Sequence, residues 1–308
     1  MTTQVISRTI ADDRDERPNP FRAHLSSGGE QPGICREELT VSVVIPALNE
    51  AKNLPALFAK LPSTLDEVVL VDGHSTDGTI EVARSLRPGI RVVQQRFSGK
   101  GDAIASGLLA ARGDVIVIID ADGSNDPAEI PDFVDAIRQG ADFAKGSRFM
   151  AGGGSADITW LRKAGNRALT WTVNILYGTK YTDLCYGFNA VRSSCLDRLL
   201  VDCAGFEVET LMNIRVAKLS MRVAEIPSFE SERVHGVSNL HPVRDGMRIF
   251  NVIMRERFSR EIKPGKCVAE YSDRSEGYLQ PAHAATYDEE LVSVDEAYRF
   301  SSGLATTP

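Results

Sequence analysis

Two carboxylates, Asp120 and Asp122, stand either side of Ala121 directly after the apolar run Val115-Ile116-Val117-Ile118-Ile119. An unbroken β-branched run of this kind reads as a strand buried on both faces. That puts the acids at its carboxyl end, the edge where open α/β sheets bind ligands. Paired oxygens there suit a hard divalent cation, Mg2+ or Mn2+, which would in turn hold the diphosphate of a nucleotide. A single Asp after a strand commonly does no more than cap the next helix. Two at this spacing make capping a weaker account, and the neighbouring segments decide the case.

The segments Pro46-Ala47-Leu48-Asn49-Glu50 and Asp72-Gly73-His74-Ser75-Thr76-Asp77-Gly78-Thr79 also follow short apolar runs. Neither carries the G-x-G-x-x-G of a dinucleotide site, which argues against NAD or FAD. A carboxylate such as Asp72 can accept a hydrogen bond from a base imino group or a ribose hydroxyl, and so recognise a nucleotide without phosphate-binding glycines. Asp77, before Gly-Thr, reads better as a helix cap. Gly99-Lys100-Gly101 lacks the spacing of a phosphate loop. A helix starting there could favour donor phosphates through its amino terminus, and Lys100 reads equally as a solvated lysine or a functional one. Arg148, Arg162 beside Lys163, and Arg233 offer guanidinium forks that match phosphate oxygens.

The chain between these residues alternates in period. Expected strands at 41–45, 67–71 and 91–94 are interleaved with expected helices at 51–61, 79–86 and 102–111, which predicts a mostly parallel sheet between helices. Ile104, Leu108 and Ala111, then Ile130, Phe133, Val134 and Ile137 beyond Pro127, make core-facing stripes. A second half begins near Lys145-Gly146-Ser147-Arg148. Its last helix opens at Pro242, carries the apolar stripe Val243, Met247, Phe250 and Met254, and ends near Arg260. Residues 1–38, rich in Pro, Gly and Ser, read as a disordered N-terminal segment, 39–260 as one α/β domain, and 261–308 as a flexible acidic tail.

A 308-residue chain that is 43% hydrophobic can build a substantial core. Its formal net charge of -7 offers no surface for nucleic acid. The excess sits at the ends, with nine acids against four bases in 261–308 and seven against five in 1–38, leaving 26 of each between. Cys35, Cys185, Cys195, Cys203 and Cys267 include no C-x-x-C pair and no His at a ligand spacing, which argues against zinc and for reduced thiols in a cytoplasm. With no apolar leader and no run near the roughly 20 residues of a spanning helix, any membrane contact is expected to be peripheral or through a membrane-protein partner. Residues 158–177 set Arg162, Lys163 and Arg167 beside Trp160, Leu161 and Trp171. That mixture suits an interfacial helix, and ordinary core packing explains it nearly as well.

Taken in order, V-I-P-A-L-N-E at 44–50, V-D-G-H-S-T-D-G-T at 71–79, G-K-G-D-A at 99–103, A-R-G-D at 111–114, D-A-D-G-S at 120–124, G-S-R-F at 146–149, G-F-N at 187–189 and R-V-H-G-V-S-N-L at 233–240 resemble the family 2 glycosyltransferases. Within them, the resemblance is to the polyprenyl-phosphate (dolichol-phosphate) mannosyl- and glucosyltransferase branch. It implies a GT-A fold, an α/β nucleotide-sugar-binding architecture, and transfer of a sugar with inversion. By the same resemblance Pro46, Leu48, Asn49, Glu50 and Asp72 line the nucleoside pocket, Lys100 and Ala121 border it, and Asp120 and Asp122 face the diphosphate and its metal. Arg148, Arg162 and Arg233 fall where such enzymes hold the lipid phosphate or the transferring group, which makes Asp122, Asp120 and Arg233 the expected catalytic set. An anionic phosphate acceptor needs no protein base; a hydroxyl acceptor would, and Asp183 is the first candidate, with a turn or supporting hydrogen bond as its other reading. The chain departs from the family pattern at Leu48, Gly73 and Asn239. It lacks the Q-x-x-R-W of processive synthases, so a single-sugar transfer to polyprenyl phosphate at the cytoplasmic membrane face is expected. A soluble hydroxyl-bearing acceptor, or nucleotide-sugar binding without turnover, are the alternatives.

Overall fold

The computed structural model describes residues 39–199, 203, 205–236, 241–259 and 292–293. The expected disordered segment 1–38 lies outside the described residues. So does the expected tail 261–308, apart from Val292–Ser293. Strands β1 (Val41–Ala47), β2 (Glu67–Asp72), β3 (Arg91–Gln94), β4 (Val115–Ile118), β5 (Phe143–Ser147), β7 (Asn189–Arg192), β8 (Val223–Pro227) and β10 (Val292–Ser293) form one sheet in the order β10-β3-β2-β1-β4-β7-β5-β8. Every neighbouring pair is parallel except where β7 runs against β4 and β5. Two short strands, β6 (Gly154–Ser155) and β9 (Phe229–Glu230), pair separately.

The expected order of strands and helices holds. Val115 to Ile119 are all fully buried, as their unbroken apolar run requires. Alternate residues serve opposite faces. Val44, Ile116 and Ile118 join α3 (Lys100–Ala110) and α7 (Val208–Lys218), whereas Val43, Ile45, Val115 and Val117 join α1 (Leu54–Phe58) and α4 (Ile130–Arg138). α2 (Thr79–Leu86) adds Ala83 to the second face, and the short α6 (Leu196–Leu199) adds Leu199 to the first.

Two expectations are corrected. The helix expected at 51–61 contracts to Leu54–Phe58, because the Glu50 and Ala51 N–H groups donate to Thr79 Oγ1 and Asp77 Oδ2 of the neighbouring loop and Pro55 sets the first turn. α8 (Pro242–Phe258) buries Ile249, Val252 and Ile253 against α7 and α5 (Trp160–Tyr177), so the stripe Val243, Met247 and Phe250 faces outward. The sequence contains both stripes, and packing chose the other.

Helix α3 lies directly on the sheet. A Cβ at Gly107 would fall 2.3 Å from Val44 Cγ1 and 2.9 Å from Val71 Cγ2. This close approach fixes where the helix begins, and so where Lys100 stands. Gly107→Ala should therefore destabilise the protein by about 1–3 kcal/mol through overpacking, even though alanine favours a helix by roughly 1 kcal/mol. Denaturant unfolding reads the sign, and a gain in stability would mean that α3 stands off from β1 and β2.

Candidate active site

The carboxyl ends of β1, β2 and β4 bring their loops to one edge of the sheet. Asp72, the last residue of β2, is fully buried; its Oδ2 accepts the Ser75 N–H at 3.1 Å, and its Oδ1 has no partner. An unpaired buried carboxylate oxygen is costly unless a ligand supplies a donor. The β1 and β2 loops are laced together around it. Asn49, with a positive φ of 58°, accepts the Thr76 N–H through Oδ1 at 2.9 Å and donates its own N–H to Ser75 Oγ at 2.9 Å. Gly78, not Asp77, is the N-cap of α2; Asp77, one residue before it, accepts the Thr79 N–H at 3.0 Å and also binds the Ala51 N–H. Leu48 is exposed beside Gly73, and Pro46 is half-buried behind it.

Beyond β4, Asp120 and Asp122 each meet a cation. Asp120 Oδ1 pairs with Lys100 Nζ at 2.7 Å, and Lys100 pairs at the same distance with Glu209 of α7. Burial alone would lower the Lys100 ammonium, but the two carboxylates outweigh it and raise it. Lys100 is therefore held between two carboxylates, and the solvated reading falls away. Asp122 Oδ2 pairs with Arg233 at 2.8 Å while its Oδ1 accepts the Ser124 N–H at 2.9 Å. The segment carrying Arg233 is stitched over the acid pair: Ser231 N–H donates to Ser124 O, Val234 N–H to Asp122 O, and Asn53 to His235 O. Burial, followed in order by the nearby Asp122 and Asp120, pushes the Glu50 carboxyl above its usual value, against the Asn53 hydrogen bond. Ala121 is buried between the two acids.

The donor set fits a divalent cation. Two carboxylates sit at one loop with protein cations as their counter-charges, and the buried Nε of Arg233 lacks a partner. Among the described residues no group of three or more His, Cys, Asp or Glu is placed to hold a metal ion, and Asp120 and Asp122 are the carboxylates that would hold one.

The expected acceptor arginines separate. Arg148 is buried. It makes a fork with Asp183 (Nε–Oδ2 2.7 Å, Nη2–Oδ1 3.0 Å), reaches Glu230 at 3.1 Å, and donates to Cys185 O at 3.0 Å. Its donors are thus engaged by the protein. Arg162 pairs with Asp157 at 3.1 Å, and Arg233 stands at the acid pair instead. Arg148 and Arg162 both line a cavity of about 150 Å³ between α5 and α8, together with Leu161, Leu169, Val243 and Ile249. Asp183 is fully buried; although burial opposes it, Arg148 holds its carboxyl below the usual range, which makes it a poor proton acceptor. Glu209 escaped the sequence reading, although an acid inside the apolar run Val208-Glu209-Thr210-Leu211-Met212 was a signal.

A mostly parallel sheet with an Asp-x-Asp pair directly beyond its fourth strand and a buried Asp ending its second has the features of a GT-A fold. The chain belongs to glycosyl transferase family 2, whose sequence profile matches residues 42–200. It is 34% identical over 201 residues to an uncharacterized glycosyltransferase of Mycobacterium tuberculosis, covering 65% of this chain and 89% of that protein. It is 32% identical over 225 residues to the polyprenol monophosphomannose synthase of Mycolicibacterium smegmatis, covering 69% and 85%. The solved glucosyl-3-phosphoglycerate synthase of Mycobacterium tuberculosis, in complex with Mn2+, UDP and glucosyl-3-phosphoglycerate, superposes with a TM-score of 0.59 at 22% identity, covering 76% of this chain and 88% of that one. The protein is a glycosyltransferase.

Asp183→Asn should cost about 3–5 kcal/mol of stability, because it removes the charge that a buried arginine faces. Thermal unfolding checks this. An unchanged midpoint with a shifted pH optimum would instead restore Asp183 as a base.

Proposed function

We propose that this glycosyltransferase moves one hexose from a UDP- or GDP-sugar to polyprenyl phosphate with inversion, using Mg2+ or Mn2+. The observation that carries the reading is the meeting, at one sheet edge, of the unpartnered Asp72 oxygen with the Asp120 and Asp122 pair and its two basic counter-ions. Asp72 Oδ1 would accept from the nucleoside, with Pro46, Leu48, Asn49 and Glu50 around it. Asp122 and Asp120 would hold the metal, which when bound neutralises the charge on the departing nucleoside diphosphate. Lys100, displaced from Asp120, would stay within reach of the donor phosphates. Arg233 and Arg162 are assigned to the acceptor phosphate, and Arg148 to the frame behind them.

The anionic acceptor is supported by the engagement of Asp183, which leaves no free base at that place. The names of the related polyprenol monophosphomannose synthase and of a dolichol-phosphate mannosyltransferase of Pyrococcus furiosus point the same way. Among the described residues no helix is long and apolar enough to cross a membrane. A peripheral contact with the cytoplasmic membrane face is supported by the outer faces of α5 and α8. Trp160, Leu161, Trp171, Ile175, Val243, Met247 and Phe250 are exposed there beside Lys163, Arg167, Arg244 and Arg248. The cavity between the two helices opens near this face and suits the first part of an isoprenoid chain.

Purified full-length protein screened with UDP- and GDP-sugars, with and without polyprenyl phosphate and with chelator, tests the reading. Transfer to the phosphate alone, abolished by chelator and by Asp122→Asn, is expected. Equal transfer to neutral polyprenol would overturn the anionic acceptor, and nucleotide-sugar binding without turnover would overturn the enzyme assignment. In the same assay Arg233→Ala should lower transfer about ten- to a hundredfold, with nucleotide affinity changed little, because a charge-assisted hydrogen bond to phosphate is lost.

A further inference from the structure

A file of hydrogen bonds runs from Asp120 to Glu129, buried at its middle links Asn125, Tyr186 and Ser228. The Asp120 N–H donates to Asn125 Oδ1 at 3.0 Å, and Asn125 Nδ2 donates to the Tyr186 hydroxyl at 3.0 Å. Tyr186 lies 2.9 Å from Ser228 Oγ, which donates to Glu129 Oε2, while Glu129 Oε1 accepts the Phe229 N–H at 3.0 Å. The amide nitrogens fix the first two links, and an ionised Glu129 fixes the rest, because it can only accept. Tyr186 accepts from Asn125 and must pass its own hydrogen to Ser228, which passes its hydrogen to an ionised Glu129. Asn125, Tyr186 and Ser228 are each at most 4% exposed, so water is a poor substitute for any link.

The ring of Tyr186 serves a second group. It lies 4.8 Å beneath the Arg148 guanidinium and flat against β5, where a Cβ at Gly146 would come within 2.7 Å of two ring atoms. One side chain thus touches both the file that holds Asp120 and the arginine that frames the acceptor side.

We infer that Tyr186 is a positioning residue for sugar transfer: through Asn125 its hydroxyl fixes the backbone at Asp120, and through its ring it fixes Arg148, so that donor and acceptor sides keep one spacing. The inference rests on the transferase reading above. Tyr186 lies behind the acids, so its influence is on their placement. A 1 Å drift of a carboxylate is enough to cost rate without unfolding the protein.

Tyr186→Phe keeps the ring and removes only the hydroxyl. Burial pushes Glu129 up to about 7, so the assays belong at pH 8, where it is ionised. At that pH Tyr186→Phe should lower kcat about tenfold, leave the acceptor KM within about twofold, and speed hydrogen exchange at the Asp120 amide while the β4 amides stay protected. Glu129→Gln should give a smaller loss, and the double variant should be no slower than Tyr186→Phe alone, because both cut one file. Unimpaired kcat with unchanged Asp120 exchange in Tyr186→Phe, or additive losses in the double variant, would overturn the inference. A wild-type protein inactive on every donor sinks the transferase reading and this assignment with it. An active wild type with an unimpaired Tyr186→Phe sinks only the assignment.

Discussion

The ion pairs that Lys100 makes with Asp120 and Glu209, and Arg233 with Asp122, set a cation against each acid that follows β4, and the rest of the site is arranged around them. Each cation comes from a different part of the chain. Lys100 opens α3 and reaches forward to Asp120 and across to Glu209 on α7, while Arg233 arrives from the segment after β9. The pairs therefore close the second half of the domain over the first. In the proposed reaction a divalent cation and a diphosphate would take the place of these protein cations.

That arrangement depends on backbone placement. The β1 and β2 strands are packed on both faces, and the loops that follow them are tied to each other by Asn49, Asp77 and Thr79. Gly107 lets α3 settle on Val44 and Val71, which sets the position of Lys100. Gly187 does the same beside the acids, since a Cβ there would fall 2.7 Å from Asp120 Oδ2 and 2.9 Å from Lys100 Nζ.

Behind the cavity between α5 and α8 lies a buried ion network of Arg148, Asp183 and Glu230, with Asn166 donating to Asp183 at 2.8 Å. Such a network is a poor source of stability but holds one geometry when every donor is answered. It supports the floor of the cavity between α5 and α8, whose outward faces keep large apolar residues beside arginines and lysines.

Much of this was legible from residue order alone. Unbroken apolar runs foretold strands buried on both faces, the alternation of periods foretold a largely parallel sheet, and Asp72, Asp120 and Asp122 at strand ends had to share an edge because parallel strands end together. Arg233 was named because a guanidinium suits phosphate, though nothing in its spacing tied it to Asp122. Only the tertiary structure decided which charges answer which. Arg148 met Asp183 and Glu230, Lys100 met Glu209, and Asn125, Tyr186, Ser228 and Glu129 lined up across residues separated by as many as 99 positions. Local pattern reports the face on which a side chain emerges, whereas its partner is set by how β7, β5 and β8 cross beside β4, and one strand of reversed direction is enough to put that beyond the reach of spacing.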